Sequence, residues 1–219
     1  MKVALYSVLV GKYDYPIEPD VKFDGVDCIF FTDGNFNSDF WNVQKTPKFI
    51  QSERKTSRHP KILSNEIFSE YDFTVYIDAN MFLTKEPNFY IDEFLGDKYD
   101  FAHHKNPYRD CLYEEAIEIR DVLKFEEPKV VNDEIEYIMK EGFPKKNGLG
   151  ANHLLVRRVN EDVKKMESMW WDMIEKYSYR DQLSLEYCLW KNNTKRNYIE
   201  PYKKYIIQRD HRKKKVTYS

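Results

Sequence analysis

Residues 73–82, Phe-Thr-Val-Tyr-Ile-Asp-Ala-Asn-Met-Phe, place two oxygen-bearing side chains directly after an apolar run. The apolar residues predict a buried strand that ends where Asp78 and Asn80 begin. Because side chains alternate along an extended backbone, Asp78 and Asn80 should point to the same side. Two such ligands suit Mn²⁺ or Mg²⁺, which keeps waters and bridges phosphates. The alternative is an Asp-Ala-Asn turn that closes the strand.

Two further predicted strands also end in polar residues. Residues 2–10 form one apolar run and are followed by Gly11, and residues 26–32 form another that leads into Asp33. In open parallel sheets, ligands bind beyond the carboxyl ends of the strands. If these strands are parallel neighbours of the strand before Asp78, their ends meet in one crevice.

A nucleotide could occupy that crevice. Tyr13 could stack on a base, and Asp33 could accept a hydrogen bond from a ring N–H or a ribose hydroxyl. For Asp33 alone, the interpretation as a turn residue is favoured. The chain has no Gly-x-Gly-x-x-Gly and no Walker loop, so neither a dinucleotide site nor a P-loop is supported.

A cluster of basic residues precedes the Asp78 strand. Residues 48–70 predict a helix that is interrupted near Pro60. Arg54, Arg58 and Lys61 are separated by four and three residues, so they share one helical face. Such a face near a metal could hold a diphosphate. The alternative is a solvated helix surface.

The second half of the chain adds polar candidates near predicted strands. His103 and His104 come at the end of a predicted strand at 99–103, and Asn152 begins another at 152–158. The two histidines could contact substrate or assist proton transfer, with His104 as the catalytic candidate. Asn152 is a candidate substrate ligand. Alternatively, the histidines are loop residues with satisfied hydrogen bonds.

A third group surrounds Asp181. Arg180, Asp181 and Gln182 begin a predicted helix, where Asp181 would serve as an N-cap. In a crevice, Asp181 with Gln182 could instead orient an acceptor hydroxyl or stabilise a positively charged, sugar-like transition state. Trp170 and Trp171 face about 100° apart on a helix. One is expected in the core, and Trp171, like Arg180, is a candidate substrate ligand.

The elements that must position these residues alternate between strand and helix. The first 80 residues give strand, connection, strand, helix and strand, which predicts an α/β fold with a mostly parallel sheet flanked by helices. The second half is more helical. Its predicted helices cover residues 88–95, 110–124, 132–141, 160–177 and 181–191.

Composition narrows the class of protein. The chain has 219 residues, 42% hydrophobic and 33% charged, which predicts one globular domain. The net charge of −2 gives no argument for nucleic-acid binding. Three distant cysteines form neither a metal pattern nor a disulfide framework, so a reducing compartment, the cytoplasm, is expected. Residues 3–10 are interpreted as a strand rather than a signal peptide, and no apolar stretch is long enough to span a bilayer.

The C-terminal segment is basic. Residues 200–219 are interpreted as a tail beyond a domain at 1–199. This tail could contact a membrane surface or fold over a donor. His211 within it could complete a metal shell, since imidazole is an acceptable ligand for Mn²⁺-like ions. The alternative for His211 is a basic surface.

An ordered series of motifs resembles the plant mucilage-related glycosyltransferase-like domain family, which has many bacterial members, and more broadly GT-A-type sugar-nucleotide transferases. The motifs are Arg54-Lys-x-x-Arg58-His-Pro-Lys61, Tyr76-Ile-Asp-Ala-Asn80, His103-His104-Lys105, Arg109-Asp-Cys-x-Tyr-Glu-Glu-Ala116, Glu141-Gly-Phe-Pro144, Gly148 to Arg158, Trp170-Trp171 and Arg180-Asp-Gln-Leu-Ser184.

The resemblance implies a GT-A-like fold, a UDP-sugar or similar donor, and Mn²⁺ or Mg²⁺ at Asp78 and Asn80. It divides the domain into a nucleotide-binding half at 1–100 and an acceptor half at 101–199. Asp181-Gln182 also resembles the pair near the sugar in glycogenin-like retaining transferases. One departure is that Asn80 stands where the motif has a second Asp.

The leading hypothesis is therefore a glycosyltransferase that moves a sugar from a nucleotide-sugar donor to a glycan or another hydroxyl acceptor, with a divalent metal neutralising the diphosphate. A second hypothesis is a non-catalytic module that binds nucleotide sugars or glycans, since Asn80 lowers the charge of the metal site. A third is a metal-dependent hydrolase.

Overall fold

A seven-stranded sheet forms the centre of the molecule. The structure is a computed structural model and describes residues 1–11, 16–19, 22–47, 49–200 and 204–208. The strands within these ranges are β1 Val3–Leu9, β2 Val26–Thr32, β3 Asn42–Lys45, β4 Phe73–Ile77, β5 Met81–Leu83, β6 Phe101–Lys105, β7 Gly150–Arg158, β8 Arg196–Ile199 and β9 Ile206–Gln208. The main sheet has the order β3-β2-β1-β4-β7-β6-β8.

All neighbours in this sheet are parallel except those of β7, which runs antiparallel to both β4 and β6. The predicted α/β fold with a mostly parallel sheet is therefore confirmed. Strands from both halves of the chain join one sheet, because β4 pairs directly with β7. The carboxyl ends of β2, β1 and β4 lie side by side, as the sequence predicted.

Helices cover both faces of the sheet. The α-helices are α1 Glu53–Ile62, α2 Ser64–Ile67, α3 Pro87–Phe94, α4 Leu112–Ile117, α5 Pro128–Lys140, α6 Glu161–Lys176 and α7 Leu185–Lys191. A π-helical turn, Glu118–Leu123, follows α4, and a short 3₁₀ helix, Asp181–Leu183, precedes α7. No helix of the described segments is long and apolar enough to cross a membrane.

Strand β1 shows why the apolar runs become buried strands. All seven of its residues are buried, as expected for a parallel strand covered on both faces. Tyr6 and Val8 pack in the core layer that contains residues of α1, α6 and α7. Leu5 and Leu9 face the opposite layer, which contains residues of α3 and β5. Tyr76 of β4 pairs with Tyr6 of β1, and it packs in the same core layer, on the side of α1.

Helix boundaries differ from the sequence-based expectation around α1. Residues 49–52 are not helical, and the interruption lies at Leu63 rather than near Pro60. Ser52 caps the helix by accepting a hydrogen bond from the Lys55 N–H. Pro60 lies in the last turn of α1, and after it the cap residue Leu63 donates its N–H to His59 O at 3.0 Å.

Part of the predicted basic tail is a folded element. Strand β9 pairs antiparallel with β5, and Tyr90 OH donates a hydrogen bond to Tyr205 O at 2.5 Å. Residues 204–208 therefore belong to the domain. Residues 201–203 and 209–219, with His211, lie outside the described residues. Membrane contact through that segment stays a prediction.

A buried charge network joins α1, β7 and α6. Arg157 donates to Glu167 Oε1 at 2.6 Å and to Ser64 Oγ at 2.7 Å. It also donates to the carbonyls of Lys61, at 2.7 Å, and Ile62, at 3.1 Å. The end of α1 leaves carbonyls without helical partners, and the guanidinium satisfies two of them. The network therefore fixes the backbone of Lys61.

Replacing Glu167 by Gln should destabilise the protein by about 3–5 kcal/mol, because Arg157 would remain charged in the core without its partner. Urea denaturation would measure this change. Glu161→Gln is the matched control, since the Glu161 side chain is 92% exposed and should change stability by less than about 0.5 kcal/mol. Equal stability of the two variants would contradict this role of the pair.

Candidate active site

Two carboxylates and one ammonium group meet at the carboxyl end of β4. Lys61 Nζ lies 2.7 Å from Asp181 Oδ2 and 3.6 Å from Asp78 Oδ1. The Lys61 and Asp181 side chains are 3% and 7% exposed, whereas that of Asp78 is 36% exposed. Asp78 is thus the solvent-facing member of a charged cluster that is otherwise closed to water.

Three elements bring the cluster together. Asp78 directly follows β4, and Tyr76 OH, on the same face of that strand, donates to Asp78 Oδ1 at 2.6 Å. Lys61 lies in the last turn of α1, where Tyr6 OH donates to its carbonyl at 3.0 Å. Asp181 begins the 3₁₀ helix, and its carbonyl accepts from Trp170 Nε1 at 3.1 Å. Buried side chains therefore fix the backbones of Lys61 and Asp181, and Tyr76 orients the Asp78 carboxylate.

Asp181 does not act as the N-cap that its position predicted. The 3₁₀ helix has no side-chain cap, because the carboxylate turns toward α1. Its Oδ2 lies 3.3 Å from Arg58 Nε in addition to its contact with Lys61. The residues are about 120 positions apart, and only the tertiary fold brings them together.

The charged neighbours keep both carboxylates ionised. Burial acts to raise the pKa of Asp181, but Lys61 and Arg58 outweigh it and lower the pKa to about 2. The pKa of Asp78 is likewise lowered from its usual value, because Lys61 and the Tyr76 hydroxyl outweigh desolvation. The cluster therefore balances two negative charges with two positive ones at neutral pH.

The three basic residues predicted on one face have different surroundings. Lys61 and Arg58 are both engaged with Asp181. Arg54 is exposed, and its guanidinium lies 4.6 Å above the Tyr179 ring. The shared helical face exists, but two of its cations are already paired with Asp181. Diphosphate binding by these residues stays a prediction.

A β-bulge between β6 and β7 affects where the His153 side chain lies. Between β6 and β7, His103 pairs with Leu155 while the next residue, His104, pairs with Ala151. The residues between those two pairs on β7 include His153. Bulges of this kind redirect side chains and are frequent next to active sites.

His104 and His153 form a buried pair. His104 Nδ1 lies 2.6 Å from His153 Nε2, so one ring donates a hydrogen bond to the other. Burial lowers the pKa of His104 to about 2 and that of His153 to about 4. The negative charges of Asp78 and Asp181 act in the opposite direction and raise the pKa of His153, but burial outweighs them. The two carboxylates thus affect the pKa of His153, and the predicted catalytic residue His104 is hydrogen-bonded to it.

His103 and Asn152 are held together away from the solvent. His103 is fully buried, stacks on the Tyr198 ring at 5.1 Å and lies 3.4 Å from Glu186 Oε1. Burial lowers its pKa to about 3, so it is neutral. A β-carbon at Gly150 would overlap the His103 ring and approach Asn152 Oδ1 to 2.9 Å. Neither predicted substrate ligand has an exposed face.

Gln182 and Arg180 connect the Asp181 segment to its surroundings. Gln182 Nε2 donates to Gly150 O at 3.3 Å, and its Oε1 accepts from Arg180 at 3.2 Å. The Arg180 guanidinium lies 5.1 Å above the Phe125 ring. Trp171 is only 8% exposed and packs edge-to-face on His59, so both tryptophans of the pair belong to the core. The expectation that Trp171 lines the site does not agree with this burial.

Asp33 lies in a turn, as one of its two interpretations predicted. Its carboxylate accepts from Gly11 N at 3.1 and 3.2 Å, which joins the ends of β1 and β2. The side chain is exposed, so the ligand role is untested. Lys45 Nζ donates to Gly34 O at 2.9 Å in the same turn. Tyr13, the predicted base-stacking residue, lies outside the described residues.

A divalent ion at Asp78 would need ligands other than His, Cys, Asp or Glu side chains. Within the described ranges, no group of three or more His, Cys, Asp or Glu side chains could hold a metal. Strand β4 ends at Ile77, and Met81 N bonds to Asp78 O at 2.9 Å in a turn, so strand alternation does not orient Asn80. The ionised, partly exposed Asp78 suits an ion whose remaining ligands are waters and substrate phosphates.

A comparison with models of protein families gives a match over most of the chain. A model of the TOD1/MUCI70 glycosyltransferase-like domain family matches residues 38–213. Because the match covers most of the sequence, the chain belongs to this family, and the family expected from its motifs is confirmed. A search of curated proteins gives no match.

Among solved structures, the chain is similar to the WbbM bifunctional glycosyltransferase in its apo form, with a TM-score of 0.49 and 12% identity. The similarity covers 90% of this chain and 38% of that one. The chain thus spans about two-fifths of the length of WbbM.

Sequence reasoning missed His153, Tyr76 as the partner of Asp78, and the contact between Lys61 and Asp181. One signal for His153 was present, because Gly150 is the first residue of β7 and glycines in strands often mark bulges. The contact between Lys61 and Asp181 had no local signal.

Proposed function

We propose that this protein transfers a glycosyl group from a nucleotide-sugar donor, a UDP-sugar, to a hydroxyl group of a glycan or other acceptor. The observation that carries the proposal is the cluster of Asp78, Lys61 and Asp181 at the carboxyl end of β4. Ligands of open parallel sheets bind at this edge. Membership of a glycosyltransferase-like family supports the same reaction class.

The reaction breaks the bond between the anomeric carbon and a phosphate oxygen and forms a bond from that carbon to the acceptor oxygen. The acceptor proton must leave, and negative charge develops on the diphosphate. Mn²⁺ or Mg²⁺, when bound, supplies neutralising charge for that diphosphate. Asp78, with Asn80, would hold the ion because Asp78 is the exposed, ionised carboxylate of the cluster.

Asp181 is the group proposed to act on the sugar. Lys61 and Arg58 hold its carboxylate ionised and in one orientation. A preorganised negative charge stabilises the positive charge that develops at the anomeric carbon. His153, supported by His104 at 2.6 Å, would orient the acceptor hydroxyl. Gln182 fixes the Asp181 segment against Gly150.

A specific observation favours a second candidate, a binding module without catalysis. Lys61 and Arg58 already balance the charge of the carboxylates that would otherwise attract a metal, and Asn80 brings no charge. Such a module would bind a nucleotide sugar and leave it intact. The third alternative, a metal-dependent hydrolase, would cleave its substrate with water alone as the acceptor.

Turnover of nucleotide sugars separates these candidates. The purified protein is incubated with a panel of UDP-sugars and Mn²⁺, with and without acceptor glycans, and released UDP is measured. Acceptor-stimulated release that EDTA abolishes is the expected result. Binding without release would support the module, and release that acceptors never stimulate would support a hydrolase.

We also propose that the protein works in a reducing compartment, as in the cytoplasm. Cys28, Cys111 and Cys188 are all unpaired, and the last two are buried. Thiol titration of the protein unfolded without reductant should give three free thiols, and fewer would contradict the proposal.

A further inference from the structure

A cavity lies near the charged cluster, and none of the residues that line it has a role in the proposed mechanism. Its volume is about 630 Å³. The first turn of α1, the π-helical turn after α4 and the segment before the 3₁₀ helix form its walls. The lining residues that matter here are Arg54, Arg120, Lys124, Phe125, Glu126 and Tyr179.

The cavity is connected to Asp181 through one side chain. Arg58 Nε lies 3.3 Å from Tyr179 O and 3.3 Å from Asp181 Oδ2. Arg54, which lines the cavity, precedes Arg58 by one helical turn, and Tyr179 precedes Asp181 by two residues. Arg58 therefore links the wall of this cavity to the carboxylate proposed to act on the sugar.

The cavity combines aromatic surface with hydrogen-bonding groups. Phe125 is 46% exposed, and Arg180 lies over its ring at 5.1 Å. Tyr179 OH donates to Phe125 O, and Arg54 donates to the Tyr179 hydroxyl. Aromatic rings offer an apolar surface to the C–H face of a sugar, and the surrounding polar groups can bond its hydroxyls.

The charges of the lining are balanced. Three cationic residues, Arg54, Arg120 and Lys124, face three acidic ones, Asp121, Glu126 and Glu127. Arg120 pairs with Asp121 at 2.6 Å, and Glu126 accepts from Ser178 Oγ at 3.1 Å. A cavity with no net charge favours a neutral ligand over a phosphate or a carboxylate.

The backbone that presents Phe125 is unusual. Glu118–Leu123 form a π-helical turn, and Lys124 follows it in the left-handed region with φ of 51°. Phe125 N bonds to Ile119 O at 3.1 Å, which holds this shape. Single π-turns and left-handed non-glycine residues are uncommon and concentrate at functional sites.

We propose that this cavity is the acceptor subsite and binds neutral sugar residues of a glycan, with Phe125 as its stacking platform. Its part in transfer rests on the proposed function, but the binding of neutral sugars does not. The subsite can therefore be tested without a donor.

Saturation-transfer NMR with lactose, cellobiose and maltose tests the binding directly, with glucuronate as the charged comparator. The expected result is transfer of saturation to at least one disaccharide, weaker transfer to glucuronate, and at least tenfold weaker binding of the disaccharide by Phe125→Ala. Val122→Ala is the matched control, because Val122 is 64% exposed on the same turn and does not line the cavity. Circular dichroism checks that both variants are folded.

Two results would overturn the subsite: no binding of any of the three disaccharides, or equal binding by Phe125→Ala and Val122→Ala. Loss of binding in Phe125→Ala, in a protein that turns over no UDP-sugar, would overturn the proposed function and leave the subsite standing. If transfer is observed, the acceptor KM of Phe125→Ala should rise at least tenfold above that of Val122→Ala.

Discussion

Asp181→Asn is expected to lower the rate of glycosyl transfer by about 100-fold or more. The amide keeps the size of the side chain but removes the negative charge that the mechanism directs at the anomeric carbon. Losing one preorganised electrostatic group typically costs two to three orders of magnitude in kcat. Steady-state assays of UDP release and of transfer to acceptor would measure the effect.

The control for this variant must separate chemistry from stability. Asp181→Asn leaves the buried Lys61 ammonium with Asp78 alone, and breaking a buried pair costs up to about 3–5 kcal/mol. Adding Lys61→Met removes the uncompensated charge, so stability should recover while activity does not. Asp172→Asn, at an exposed position of α6, should resemble the wild type. Recovery of activity together with stability would show that Asp181 is only structural.

Asp78→Ala is expected to abolish metal-dependent turnover. Asp78 is the exposed carboxylate of the cluster and the proposed ligand of the ion. A metal that stabilises a departing diphosphate contributes several kcal/mol, so its loss should slow the reaction by roughly 100-fold or more. Rates measured across a Mn²⁺ series would show whether added metal rescues the variant.

Asp92→Ala is the matched control for Asp78, because Asp92 is an exposed aspartate on α3, outside the cluster. It should keep the wild-type metal dependence. Thermal melting of both variants would verify that Asp78→Ala remains folded. Normal, EDTA-sensitive transfer by Asp78→Ala would remove this residue from the metal site.

Much of the framework could be predicted from local patterns. The apolar runs at β1, β2 and β4 identified buried strands because parallel strands covered on both faces are apolar throughout. Asn160 marked the start of α6, and it caps that helix by accepting from Val163 N at 2.8 Å. These features depend on neighbours in sequence, so a single sequence contains them.

The site depended on distant contacts, and there the predictions were incomplete. Asp181 was a candidate, but its partner Lys61 is 120 residues away and was assigned to phosphate. The bulge that exposes His153 to the carboxylates depends on the register between β6 and β7. Strands β3 and β9 were missed because they are short and polar or lie in a segment that appeared to be a tail.

The most direct test of the central claim is a calorimetric titration of UDP into the wild-type protein and into Asp78→Ala, each with Mn²⁺ and then with EDTA. The account predicts binding by the wild type that requires Mn²⁺ and is lost in Asp78→Ala. Equal, metal-independent binding by both proteins, or no binding in any condition, would contradict a UDP-sugar site at the end of β4.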